Sequence, residues 1–154
     1  MAVDIGQEAP DFELIDQHRE PVKLSQYRGK KRILLIFHPL SFTGICEGEL
    51  CALRDEYGRF RDSNTEVIAV SVDSSAVHKA WADKLGIEYP YLADFWPHGE
   101  VARRYGVFDE ERGLALRGTF VIDKQGSVTF KAVQGVPDGR EVGQYLQIVE
   151  SSEA

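Results

Sequence analysis

Cysteine is scarce in this chain of 154 residues: there are two, Cys46 and Cys51, separated by four residues. That is too few for the disulfide framework of a small secreted protein, and C-x4-C matches neither a C-x-x-C redox pair nor a zinc pattern. Histidine is also sparse. His18, His38, His78 and His98 lie scattered, without the short spacing that pairs metal ligands, so no metal is expected. A basic excess is missing too. The 18 Lys and Arg stand against 25 Asp and Glu, a net charge of −7, which argues against nucleic acid as a partner. No apolar stretch approaches the ~20 residues that span a bilayer. The opening Met1–Gly6 has neither the basic region nor the apolar core of a secretory signal. The expectation is a soluble single domain over 1–154 in a reducing, cytoplasmic compartment, where thiols stay free unless they do redox work.

What is present alternates between two periodicities. Phe12 and Leu14, then Val22 and Leu24, predict two short strands in an N-terminal β-hairpin, followed by a helical turn ending at Gly29. Ile33–Phe37 is a continuous apolar run, as in a strand buried on both faces, and Glu66–Asp73 reads as a second buried strand. Between them Ile45, Leu50, Leu53, Tyr57 and Phe60 recur at helical spacing from Gly44 to about Arg61. A second helix is predicted to be capped by Ser75 and to run through Leu85 to Gly86. A short strand at Tyr91–Ala93 and a short helix over Gly99–Tyr105 follow. Ala115–Ile122 and Ser127–Val133 flank the turn Asp123-Lys124-Gln125-Gly126, and a last helix is predicted from about Gly139 to Val149. Strands alternating with helices imply crossovers and a parallel portion of sheet, and the late hairpin makes the sheet mixed. The fold class is α/β, a thioredoxin-like fold with a mixed central sheet flanked by helices. Trp81 and Trp96 are assigned to the core with the Tyr and Phe residues, some of which could line a dimer contact.

The chemistry concentrates where the first buried strand breaks. Pro39 ends it, Thr43 precedes the next helix, and Cys46 falls in that helix's first turn. A thiol there meets unpaired backbone N–H groups and the positive end of the macrodipole, both of which favour an exposed, nucleophilic thiolate. Thr43 can hold a substrate oxygen against the sulfur or simply cap the helix. Pro39 shields the loop from water or merely shapes it. The missing cation is assigned to Arg117, a charge interrupting a strand-like run, which is costly unless paired. The alternative is an edge-strand arginine facing water. Glu49, one turn past Cys46, makes sense as the orienter of an arginine or as a first-turn helix acid.

The pattern P-x-x-x-T-x-x-C followed by Glu49, with Arg117-Gly118-Thr119-Phe120-Val121-Ile122-Asp123 late in the chain, resembles the peroxiredoxin family. The similarity begins at Gly6–Phe12 and covers nearly the whole chain. Phe42–Leu50 and Asp94–Gly99 resemble the AhpE-type subgroup in particular. The resemblance implies a peroxidatic role for Cys46, with Thr43 and Pro39 as the motif residues around it. Arg117 matches the distant activating arginine and Glu49 the acid that orients it. It implies a hydroperoxide as substrate and no metal, haem or nucleotide cofactor. The reductant would be a thioredoxin-like or mycoredoxin-like protein or a low-molecular-weight thiol, and the assembly a homodimer or higher oligomer.

Two residues depart from the pattern. His38 stands where the family usually has Phe, Tyr or Trp before the proline; protonated, it would add pH dependence to the site. Cys51 resembles the resolving cysteine of the Q-type (bacterioferritin-comigratory) subgroup. Five residues of α-helix rise about 7.5 Å, past the ~7 Å Cα limit of a disulfide. A Cys46–Cys51 bond therefore requires the first turns to unwind, which Gly44 and Gly48 ease by roughly 1 kcal/mol each. The other reading makes Cys51 a small buried apolar residue. Three competing functions remain. One is a redox sensor or relay using the same sulfenic acid to oxidise a partner protein. Another is a binding module with an inert Cys46, and the third, a dithiol oxidoreductase, is disfavoured by the lack of C-x-x-C.

Overall fold

The computed structural model describes residues 2–135, 138 and 140–151. Strands β1 (Glu13–Ile15) and β2 (Pro21–Lys23) pair antiparallel as the N-terminal hairpin, and a 3-10 turn at Leu24–Tyr27 follows. Then come β3 (Arg32–Phe37), α1 (Gly44–Asp62), β4 (Thr65–Ser71), α2 (Ser75–Leu85), β5 (Tyr91–Ala93) and α3 (Glu100–Arg104). A small hairpin of β6 (Phe108–Asp109) and β7 (Leu114–Ala115) precedes β8 (Arg117–Ile122), β9 (Val128–Gln134) and α4 (Val142–Ser151). The central sheet has the order β5-β4-β3-β8-β9. β3, β4 and β5 run parallel, while β8 and β9 pair antiparallel.

The apolar run of β3 is continuous because both faces are covered. Ile33, Leu35 and Phe37 point into a core with Phe120, Tyr105 and Val101. Leu34 and Ile36 point the other way, into a core with Leu50, Leu53, Phe60, Trp81 and Tyr145. Side chains alternate along a strand, so Val121, in the second core, puts Thr119 and Arg117 on the face covered by α1. Arg117 thus enters the sheet at the carboxyl end of β3, beside the loop into α1. It is 2% exposed, which excludes a water-facing edge arginine.

Several expectations need correction. Ser74 caps α2, its Oγ accepting from Val77 N at 3.3 Å, and Ser75 is the first helical residue. Ala115 belongs to β7 rather than β8, because Leu116 N donates to Val107 O and parts the two strands. Ser127 pairs only with Glu8 in an isolated bridge, so β9 starts at Val128. The last helix starts at Val142, and Gly139 lies outside the described residues. Trp81 is buried, but Trp96 is 82% exposed on the segment after β5 and is no core residue.

Candidate active site

Thr43 takes the N-cap position of α1 with extended backbone, but its hydroxyl does not cap the helix. Thr43 Oγ1 instead donates to Leu40 O at 2.8 Å, which closes the Pro39–Thr43 loop on itself and leaves its lone pairs free to accept. Cys46 follows as the third residue of α1, in the turn whose N–H groups lack helical partners. The sulfur is not open to solvent as the sequence suggests: Cys46 is 0% exposed. The reason is its place on the inner face of α1, among Leu34, Ile36 and Leu50.

Its polar neighbour is a guanidinium. Arg117 Nη1 donates to Cys46 Sγ at 3.4 Å and to Glu49 Oε1 at 2.8 Å. The other oxygen of Glu49 accepts from the Arg140 backbone N–H at 2.9 Å and lies 3.1 Å from Arg140 Nε. Arg140 is fixed in turn by Gly118 O, Thr119 Oγ1 and Phe37 O. Burial pushes its guanidinium below the usual arginine range, while Glu49 holds it up. Two buried guanidiniums thus share one buried carboxylate, and one of them, Arg117, reaches the sulfur. Arg140 escapes the sequence reading because that reading places it in the last helix, whereas α4 starts at Val142 and Arg140 precedes it, outside any helix or strand period.

Beside the sulfur a pocket of ≈ 420 Å³ is lined by Pro39, Leu40, Thr43, Gly44, Ile45, Arg112, Leu114 and Arg117. The lining is mainly apolar, with Arg117 as the group shared between pocket and sulfur. A larger groove of ≈ 640 Å³ lies between α1 and α4, but Arg117 does not line it, so the chemistry belongs to the smaller pocket that Arg117 joins to the sulfur.

His38 sits 0% exposed, its ring centroid 5.4 Å from that of Tyr91 and 6.2 Å from that of Trp81. Burial lowers its pKa well below the ordinary histidine value, and His78, Arg140 and Arg117 push the same way. A protonated His38 is therefore excluded at neutral pH; the imidazole fills an aromatic site as a neutral ring. Cys51 is partly exposed, packs against the core around Leu50 and Leu53, and is not joined to Cys46; both thiols are free. Among the described residues no group of three or more His, Cys, Asp or Glu is placed to hold a metal ion. No helix among them is long and apolar enough to cross a membrane.

Comparison with known proteins agrees with this geometry. The family model described as the AhpC/TSA family matches residues 5–131. Alkyl hydroperoxide reductase E of Mycobacterium tuberculosis is 49% identical over 128 residues, covering 83% of this chain and 84% of that protein. The chloroplastic 2-Cys peroxiredoxin BAS1 of Spinacia oleracea is 38% identical over 96% of this chain and 58% of its own length. Among solved structures, AhpC of Enterococcus faecalis superposes with a TM-score of 0.89 at 34% identity, over 99% of this chain and 93% of that one. The reduced 2-Cys peroxiredoxin of Plasmodium vivax gives 0.85 at 32% identity, over 95% and 80%. With the thioredoxin-like architecture and a cysteine motif of the AhpE-like kind, the chain belongs to the AhpC/TSA family of peroxiredoxins.

Proposed function

We propose that this protein is a thiol-dependent peroxidase that reduces hydrogen peroxide and alkyl hydroperoxides through a sulfenic acid at Cys46. The observation that carries the reading is the contact between Arg117 Nη1 and Cys46 Sγ, 3.4 Å, with the guanidinium held from behind by Glu49. Two buried arginines against one buried carboxylate suit an anion at the sulfur. The thiolate attacks the terminal oxygen of ROOH, the S–O bond forms, the O–O bond breaks, and its electron pair leaves on RO⁻. Arg117 and the N–H groups of the first turn of α1 stabilise that developing charge. The free lone pairs of the Thr43 hydroxyl can accept from the OH of the peroxide, and Pro39 keeps water from one wall. RO⁻ takes a proton from solvent, leaving ROH and Cys46–SOH. The mainly apolar pocket suits organic as well as inorganic peroxide. Cys46→Ser should abolish peroxide turnover, and a dimedone-type probe should label Cys46 after one equivalent of peroxide. Turnover retained in Cys46→Ser ends the proposal. The redox-relay reading is disfavoured, since the relatives are named for peroxide reduction.

Reduction of the sulfenic acid follows one of two routes. Cys51 condenses with it, forming a disulfide and releasing water, or an external thiol does so directly. The intramolecular route is supported by the glycines: an added Cβ at Gly44 or Gly48 would meet nothing within 4 Å, so close packing does not require them. Their remaining effect is a weaker helix between the two thiols. Mass spectrometry under non-reducing conditions distinguishes the routes, loss of two hydrogens within one chain marking Cys51 as resolver. A thioredoxin-like or mycoredoxin-like protein, or a small thiol, then regenerates the thiols in a reducing, cytoplasmic setting. A homodimer or larger oligomer completes the proposal; exposed Phe95 and Trp96, 52% and 82%, support a covered surface there, and sedimentation tests it.

A further inference from the structure

The loop that walls the pocket is held at its midpoint from two sides. The Ser41 N–H donates to Asp73 Oδ2 at 2.8 Å, and the Ser41 hydroxyl lies 2.6 Å from the Tyr91 hydroxyl. His78, on α2 and 0% exposed, stands behind both holds. Its Nε2 is 2.6 Å from Ser71 Oγ, and the single hydroxyl proton of Ser71 goes to Asp73 Oδ2 at 2.7 Å. His78 Nε2, Ser71 Oγ and Asp73 Oδ2 thus form a hydrogen-bonded chain that ends on the carboxylate holding Ser41, and His78 Nδ1 lies 3.3 Å from the Tyr91 carbonyl oxygen on the other side. Members of such a chain polarise one another and strengthen each bond. The same imidazole stacks flat on the Tyr91 ring, centroids 3.7 Å apart, and so fixes the second hold.

The loop needs this grip. Phe42, the residue after Ser41, has φ 60, a left-handed conformation that bulky side chains avoid. Such a residue costs about 1–3 kcal/mol and persists only where its surroundings over-determine it. Two hydrogen bonds on Ser41 and the stack of Phe42 on Trp81, centroids 5.4 Å apart, supply that constraint. On either side of this strained point lie Pro39, Leu40 and Thr43, which line the pocket.

We propose that His78, acting through Ser71 and Asp73 and through Tyr91, is a positioning residue for the peroxide reaction, although nothing places it in contact with Cys46. The proposal rests on Cys46 being the reacting sulfur. Stopped-flow oxidation by hydrogen peroxide, located to Cys46 in the wild-type protein by mass spectrometry, checks that reading separately. Alkylation of Cys46 by iodoacetamide is the control, because it needs the thiolate but not a shaped peroxide site. His78→Phe keeps a ring on Tyr91 and loses the bond to Ser71. It should slow peroxide oxidation by about 10- to 100-fold, the range that follows from a small misplacement of reacting groups, with alkylation undiminished. His78→Gln, which retains a donor, should recover most of the rate. Asp73 is partly exposed and gives a second pair should His78→Phe fail to fold. Asp73→Ala should show the same selective loss, and Asp73→Asn, which keeps an acceptor oxygen, should restore it. An unchanged peroxide rate in His78→Phe or Asp73→Ala overturns the proposal. So does a parallel fall of oxidation and alkylation, which marks a merely structural role.

Discussion

Glu49 Oε1 lies 2.8 Å from Arg117 Nη1, the same nitrogen that donates to the Cys46 sulfur. Glu49 therefore sets where the guanidinium stands, and it also offsets two buried positive charges. Glu49→Gln keeps the shape and removes the charge, leaving Arg117 and Arg140 buried without that carboxylate. Removing one partner of a buried ion pair costs about 3–5 kcal/mol. Urea unfolding should show a loss of that order, and peroxide oxidation of Cys46 should slow. A stability within about 0.5 kcal/mol of wild type, the range of an ordinary surface substitution, would contradict the arrangement.

Arg117→Ala removes the donor aimed at the sulfur. Loss of one preorganised donor at a developing anion costs about 10²- to 10³-fold in rate, and stopped-flow oxidation of Cys46 should fall by that factor. Arg117→Lys restores a point charge without the planar fork, so it should recover only part of the loss. A lysine variant as fast as wild type would mean that charge alone suffices.

Much of this site is legible in the chain before folding is known. A proline, a threonine and a cysteine at a strand-to-helix junction announce a nucleophile, and Arg117 stands out because it breaks an apolar run. The alternation of β8 even puts Arg117 on the side of Val121. Arg140 is not legible, since its direction is fixed by bonds to Phe37, Gly118 and Thr119, each far from it in sequence. The chain from His78 to Ser41 is hidden for the same reason: it joins α2, β4, β5 and the catalytic loop, and no period links them. The burial of Cys46 is also invisible locally. Helix position foretells its access to backbone N–H groups, whereas packing against Leu34 and Ile36 decides its exposure.

The buried His38 makes a statement about acid stability. Its folded-state pKa lies well below the ordinary value, so the unfolded chain binds the proton first as pH falls through about 6.5. Stability is then full above that value and is lost on acidification, by up to about 1.4 kcal/mol per pH unit for one proton. His78, lowered by burial to about 4, adds a term of the same sign between its unfolded and folded values. His38→Phe removes one of the two contributions. Its unfolding free energy from urea titration should fall less than that of wild type between pH 6.5 and 5, the difference being roughly 2 kcal/mol at most. The pH profile of Cys46 oxidation between pH 6 and 8 should be unaltered. A shifted activity profile with an unchanged stability slope would reverse the assignment.

Gly48 sits inside α1, between the two thiols, with open space where a Cβ would stand. Gly48→Ala should therefore stabilise the helix by up to about 1 kcal/mol without a clash. If Cys46 and Cys51 must meet by unwinding these turns, that gain opposes the unwinding, and disulfide formation after peroxide should slow about fivefold, the factor that 1 kcal/mol represents. The peroxide step needs the helix folded and should proceed at the wild-type rate. Rapid mixing with peroxide, followed by thiol trapping and mass analysis at successive times, separates the two steps. Gly48→Ala more stable to urea but with an unslowed disulfide would show that α1 need not open between the cysteines. A sulfenic acid persisting in both proteins would instead give its reduction to an external thiol and leave Cys51 as a packing residue beside Leu50.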